Sequence, residues 1–136
     1  MMPGYSGTPL AQKLGIKPSA IVLTINAPND YAALLGPLPS GTSIVAKAKP
    51  GEAAIVHLFV PSLAYLEKQL PQARKAMTTD GALWVSWYKK SAKIPTDVTE
   101  DAIRARALKT DLVDVKVCAV TDIWSALKLV IRKHLR

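Results

Sequence analysis

One cysteine, two histidines and seven glycines in 136 residues close off several kinds of chemistry. The single cysteine, Cys118, excludes an internal disulfide and a multi-cysteine zinc site. His57 and His134 lie far apart, and neither is accompanied by clustered carboxylates, so the pattern offers no metal site. There is no Gly-x-Ser-x-Gly elbow and no Walker loop. No apolar run approaches the roughly 20 residues that span a bilayer. The opening MMPGYSGTPLAQKLG lacks a charged segment followed by an apolar one. Internal repeats are also absent. These absences point to a cytoplasmic protein without a membrane partner.

What is present is a core. Hydrophobic residues make up 49% of the chain and charged residues 21%, which fits one soluble domain over residues 1–136. The net charge of +8 permits a polyanionic partner. The cations are dispersed, however, with Lys13 and Lys17 early, Lys89, Lys90 and Lys93 central, and Arg132, Lys133 and Arg136 at the end. That spread describes a solvated basic surface, and any contact with nucleic acid should be weak and sequence-independent.

The order of elements is legible. A short helix over Leu10–Leu14 stops at Gly15. SAIVLTI reads as a first strand, and Asn29 and Asp30 can cap a helix from Tyr31 to Leu35. Ser43–Ala48 and Ala53–Val60 read as strands two and three. Only Lys49-Pro50-Gly51-Glu52 separates them, too little for a helical crossover, so they form a hairpin or the link runs over the sheet edge. Leu63, Leu66, Leu70, Ala73 and Met77 recur at helical spacing, with Pro71 bending or dividing that helix. Asp80-Gly81 reads as a turn before the strand ALWVSWY. Asp97 and Glu100 have capping-box spacing ahead of a helix through Ile103 and Leu108. Leu112–Val120 and Trp124–Arg132 are strands joined by a link of hairpin length, hence antiparallel. VLTI and IVHLFV are apolar at successive positions, as strands covered on both faces require. The fold class is α/β, a three-layer α/β/α sandwich, with flexibility expected at residues 1–9 and about 91–95.

Nearly the whole chain resembles the class I S-adenosylmethionine methyltransferase fold. LGIKPSAIVLTINAP is similar to the first helix, turn and strand of those enzymes. AAIVHLFVPS, the helix after it and DGALWVSWYKK are similar to their central strands. VKVCAVTDIWSALKLVIRK is similar to their closing hairpin. The resemblance implies a Rossmann-like, mostly parallel sheet of about six strands in the order 2-1-3-4-6-5. The last strand would be antiparallel, and one strand–helix unit would be missing between residues 48 and 53. YSGTPLAQKLGIKP, GALWVSWYKK and TDIWSALKLVIRK also resemble a small bacterial family of unknown function, which implies no activity.

The departures fall where that fold places its cofactor. An acidic residue and two glycines are replaced by Thr24, Asn26 and Pro28, and proline brings bulk and no N–H. The carboxylate expected at the end of strand two is replaced by Lys47-Ala48-Lys49, with Glu52 displaced into the turn. The expectation is therefore no cofactor and a non-catalytic or vestigial methyltransferase-like module. Its partner would be another protein, a second copy of the chain, or a small anion. An atypical enzyme binding S-adenosylmethionine or a nucleotide is the alternative, and a non-specific nucleic-acid binder the next.

Ligands of open α/β sheets bind beyond the carboxyl ends of the strands. The sequence gathers there Asn26, Pro28 and Asn29, Lys47 and Lys49, Ser62, and Trp87, Lys89 and Lys90. This rim suits a phosphate or carboxylate. The plain alternative is that Asn29 and Ser62 cap helices while the lysines are solvated. His57, in mid-strand, reads as a buried histidine with a backbone partner. Cys118 reads as a small packed hydrophobe. Trp84, Trp87 and Trp124 read as core, with base stacking the other use of such residues. Tyr5, Ser6 and Thr8 either fold back over the strand ends or cap the first helix.

Overall fold

Strand alternation sends successive side chains to opposite faces, and in this chain both faces must be dry. The computed structural model describes residues 8–136. Its elements are α1 (Leu10–Leu14), β1 (Ile21–Ile25), α2 (Tyr31–Leu35), β2 (Ser43–Val45), β3 (Ala53–Phe59), α3 (Leu63–Ala76), β4 (Met77–Tyr88), α4 (Glu100–Ala107), β5 (Leu112–Ala119) and β6 (Trp124–Ile131). One six-stranded sheet has the order β2-β1-β3-β4-β6-β5. Strands β1 to β4 are mutually parallel, and β6 runs antiparallel to both β4 and β5. This is the order that the resemblance implied.

Leu23, Val56, Leu58, Leu83, Val85 and Leu127 turn to one side, against Leu66, Leu70 and Ala73 of α3 and Ile103 of α4. Their neighbours Val22, Ile55, Phe59, Ala82 and Trp84 turn to the other, against Leu10 and Leu14 of α1 and Tyr31 and Leu35 of α2. Each fully buried Leu, Val or Phe contributes about 1.5–3 kcal/mol, so the two half-cores together fix three layers.

Several local expectations are corrected. β2 ends at Val45 and never pairs with β3, because β1 lies between them. The hairpin alternative is therefore excluded. Residues 46–52 return directly to the start of β3, where Gly51, at φ +71°, donates its N–H to Lys75 O at 2.9 Å. α3 is one helix through Pro71. Asp80-Gly81 is not a turn: Met77 leaves α3 already extended and pairs with Ala53, so β4 begins there. α4 is capped by Thr99, whose Oγ1 accepts from Ala102 N–H at 3.1 Å. Asp97, the expected cap, reaches Leu63 instead.

Gly81 earns its place by contact. A Cβ there would lie 2.8 Å from Ala54 O and 2.7 Å from Thr78 Oγ1. Gly81→Ala is expected to cost about 1–3 kcal/mol by overpacking the β3–β4 pair. An unchanged urea midpoint would refute this.

Candidate ligand cleft at the carboxyl edge of the sheet

The strand order reverses between β1 and β3, and the crevice beyond that point is where open α/β sheets bind ligands. Asn26 follows β1 in the left-handed region, at φ 60°, which asparagine tolerates better than most residues. Its Nδ2 donates to Phe59 O, the last carbonyl of β3, at 3.1 Å. A side chain of the protein thus stitches the two strand ends together. The next turn is closed by backbone, Tyr31 N–H to Pro28 O at 3.1 Å. Neither Asn29 nor Asp30 caps α2: Asp30 stands at the cap position without a side-chain hydrogen bond, and Asn29 is exposed.

The start of α3 is occupied in the same way. Ser62 Oγ accepts from Tyr65 N–H at 3.2 Å, and Asp97 Oδ1 accepts from Leu63 N–H at 2.8 Å. Thr96 Oγ1 donates to Pro61 O at 2.8 Å. The segment before α4 is clipped across the end of β3, and its carboxylate sits where the helix N-terminus favours an anion.

Open space remains farther along the edge. A cleft of about 920 Å³ lies between the end of β4 and the start of α4. One wall carries Lys89, Lys90 and Lys93, and Ile94 and Pro95 supply most of the exposed apolar surface. Lys89 is held by its N–H to Ile123 O at 2.8 Å, and Lys90–Ala92 form a single 3-10 turn where flexibility was expected. Lys93 closes that turn at φ 56°. Trp87 points under α3 and α4 as a core residue and shows the cleft little of its surface. On the opposite wall, Glu100 and Asp101 are both paired to Arg104, which also reaches Asp114 Oδ2 at 2.9 Å. The Arg104 guanidinium holds the Asp114 carboxyl below its usual range. Arg104 offsets part of that acidic charge, and with the three lysines the cleft keeps a small positive excess.

The nine rim residues are therefore divided. Trp87, Lys89 and Lys90 share the cleft, while Asn26, Pro28, Asn29 and Ser62 lie at the closed switch point beside it. Lys49 does not join them. Because β2 stops early, the link turns back to the amino end of β3, and Lys49 N–H bonds Glu52 Oε1 there. Ala48 and Pro50 border a smaller cleft of about 380 Å³ against Gln72 and Lys75, near the end of α3. Lys47 is exposed on the same link. The sequence reading missed Lys93, Val98 and Thr99, although the turn-rich stretch IPTD after the fourth strand marked a loop at that edge.

His57 is fully buried in β3, and its partners are side chains, not the backbone expected. Nδ1 lies 2.8 Å from Tyr31 Oη and Nε2 2.7 Å from Ser86 Oγ. Burial lowers its pKa to about 3, so the imidazole is neutral at pH 7 and saturated by partners on both nitrogens. Burial raises the Cys118 thiol pKa, which leaves it a poor nucleophile. Trp84 is buried and donates Nε1–H to Leu14 O at 3.1 Å, while Trp124 stacks on Tyr88 with ring centroids 4.3 Å apart. Thr8 is described, but Tyr5 and Ser6 lie outside the described residues. Among the described residues, no three metal-ligating side chains gather, and no helix is long and apolar enough to cross a membrane.

No family model and no curated protein matches the chain. Solved structures do. The Bacillus subtilis m1A22 tRNA methyltransferase TrmK superposes with a TM-score of 0.60 at 14% identity, over 90% of this chain and 65% of that one. A type 11 methyltransferase from Sulfolobus solfataricus gives 0.57 at 11% identity, over 84% of each chain. The ribosomal protein L11 methylase of Lactobacillus delbrueckii subsp. bulgaricus gives 0.52 at 10%, over 89% of this chain and 74% of that one. The chain has a six-stranded, mixed α/β methyltransferase-like fold.

Proposed function

We propose that the chain is a non-catalytic, methyltransferase-like binding module that takes a small anion in the cleft beyond β4. The observation that carries this reading is the uneven charge of the cleft: three lysines on one wall, and on the other two carboxylates already held by Arg104. The Asn26–Phe59 stitch supports the non-catalytic half, because a cofactor entering the switch point would have to break it. A second reading is an atypical enzyme that binds S-adenosylmethionine or a nucleotide, and the likeness to three methyltransferases favours it.

Calorimetric titration separates the two. Citrate and AMP, as carboxylate and phosphate probes, are expected to bind the parent protein. Lys89→Ala/Lys90→Ala is expected to weaken them roughly tenfold with little loss of stability, since exposed charges contribute little to folding. S-adenosylmethionine and S-adenosylhomocysteine are expected to give no heat beyond that of the anion probes. Micromolar binding of either one, with NMR shifts centred on residues 26–30, would install the enzyme reading.

A further inference from the structure

A helix is about 10 Å across and neighbouring strands lie about 4.8 Å apart, so one helix covers two strands of a sheet. Six strands therefore offer room for three helices on a face. On one face the chain supplies two: α3 lies over β3 and β4, and α4 over β5 and β6. The helices α1 and α2 pack on the other face. Among the described residues, no helix lies over β1 and β2 on the α3 side.

Parallel strands are ordinarily covered on both faces. Val56 and Leu58 of β3, beneath α3, are fully buried. Ile21 and Ile25 of β1, Val45 of β2 and Ala48 after it turn to the same side and are only half-buried. Tyr65 and Gln72 stand at helical spacing on the flank of α3 beside them. Glu67 and Arg74, on the other flank, pair with Arg106 and Asp111. The groove between strand floor and helix flank is about 16 Å long, the rise of α3 from Tyr65 to Ala76. Its amino-edge end is the cleft of about 380 Å³ that Lys75 lines. Lys47 and Lys49 are exposed on the link beside it, and no ion pair among the described residues involves any of the three. Against these lysines the link sets one carboxylate, Glu52, whose Oε1 accepts from Lys49 N–H at 3.3 Å.

We infer that this groove is a docking surface for an amphipathic helix of a protein partner, apolar on one face and carrying carboxylates toward Lys47, Lys49 and Lys75. A helix of about eleven residues, three turns, fills the length. Lying beside α3 at the usual spacing of about 8–10 Å, it sits over β1 and β2 and completes the layer. Its apolar face takes Ile21, Ile25 and Val45 out of water, and its charge complements the rim. A phosphodiester backbone would meet the lysines but leave that floor wet. A second copy carries the same net charge of +8, which opposes its approach. The groove shares no residue with the cleft beyond β4, so the two proposals stand or fall separately.

The test is fluorescence anisotropy with a labelled peptide of about 15 residues, lactam-bridged because so short a helix is marginal in water. Leucines at i, i+3, i+4 and i+7 form one face and glutamates occupy the other. The comparisons are a scrambled peptide of the same composition and one with lysine for every glutamate. The acidic amphipathic peptide is expected to bind the protein roughly tenfold or more tighter than either. Lys47→Glu/Lys49→Glu/Lys75→Glu is expected to weaken it roughly tenfold and to strengthen the lysine peptide. Lys109→Glu/Lys116→Glu/Lys133→Glu reverses as many exposed lysines elsewhere and is expected to stay within about twofold in moderate salt, which screens distant charges. Amide shifts are expected to centre on residues 21–25 and 43–48. Val45→Asp, a charge on the floor, is expected to abolish binding; should it not fold, as judged by near-UV dichroism, the reversal triple carries the test alone. Equal binding of the scrambled peptide, equal losses in both triples, or no binding of the acidic peptide would overturn the inference. Self-association abolished by the groove variants would assign the face to a second copy, and displacement of the peptide by oligo-dT through the same amides would assign it to a nucleic acid; either result overturns it as well.

Discussion

Taking the protein from pH 7 to pH 4 is expected to remove about 3 kcal/mol of folding stability through His57 alone. The imidazole has a pKa of about 3 in the fold, because burial penalises its charged form, against about 6.5 in an unfolded chain. Between those values the unfolded state binds a proton that the native state does not. Stability therefore rises with pH across this window, is complete above about 6.5, and drains away as the pH falls toward 3. Asp111 and Asp114, held low by Arg74 and Arg104, begin to lose their contributions as their unfolded-state carboxyls take up protons, from about pH 5 downward. The slope between about pH 5 and 6.5 thus reports His57. Urea unfolding at a series of pH values is the measurement. Ser86→Ala keeps the imidazole and should keep the slope, while losing about 1–3 kcal/mol for the orphaned Nε2. His57→Leu should flatten it. A His57→Leu protein with the parent's slope would show the assignment to be wrong.

Trp84→Ala is expected to cost roughly 3–5 kcal/mol, the range for emptying a buried aromatic site. Trp84 is fully buried in the half-core under α1 and α2, so little can relax into the space it leaves. Its Nε1–H is also the partner of Leu14 O, at the end of α1. The substitution therefore opens a void and releases a helix carbonyl together. Trp84→Phe, which keeps much of the volume, is expected to lose about 1–2 kcal/mol. Urea unfolding of both variants decides the matter: a Trp84→Ala protein within 1 kcal/mol of the parent would mean that α1 does not depend on this anchor.

The strands and both faces of the sheet were legible because they rest on period, while the strand order was what the likeness to the methyltransferase fold implied. Runs such as IVHLFV name strands buried on both sides whatever surrounds them. Residues that act through distant partners were not legible. Asp80-Gly81 has turn chemistry, yet pairing of Met77 with Ala53 draws the stretch into β4. Asp97 has cap spacing, but Thr99 sits one turn position better and frees Asp97 for Leu63. The partners of His57 lie 26 and 29 positions away, on α2 and β4, beyond any local pattern. At the rim, strand-end logic brought Trp87, Lys89 and Lys90 together but misplaced Lys49, because the early end of β2 sends the chain back to the other edge. Lys116 and Lys128, twelve positions apart in sequence, face each other only through strand register.

The clip of Thr96 and Asp97 over the start of α3 has a consequence in time as well as in space. Its two hydrogen bonds span 35 and 34 positions and lie on the surface. Such bonds form late in folding, and they open before the core beneath them does. Leu63 N–H belongs to the first turn of α3 and has no acceptor within the helix. Its exchange with solvent deuterium is therefore gated by the coming and going of one carboxylate. That single amide is a stopwatch for the opening of the Thr96–Asp97 clip.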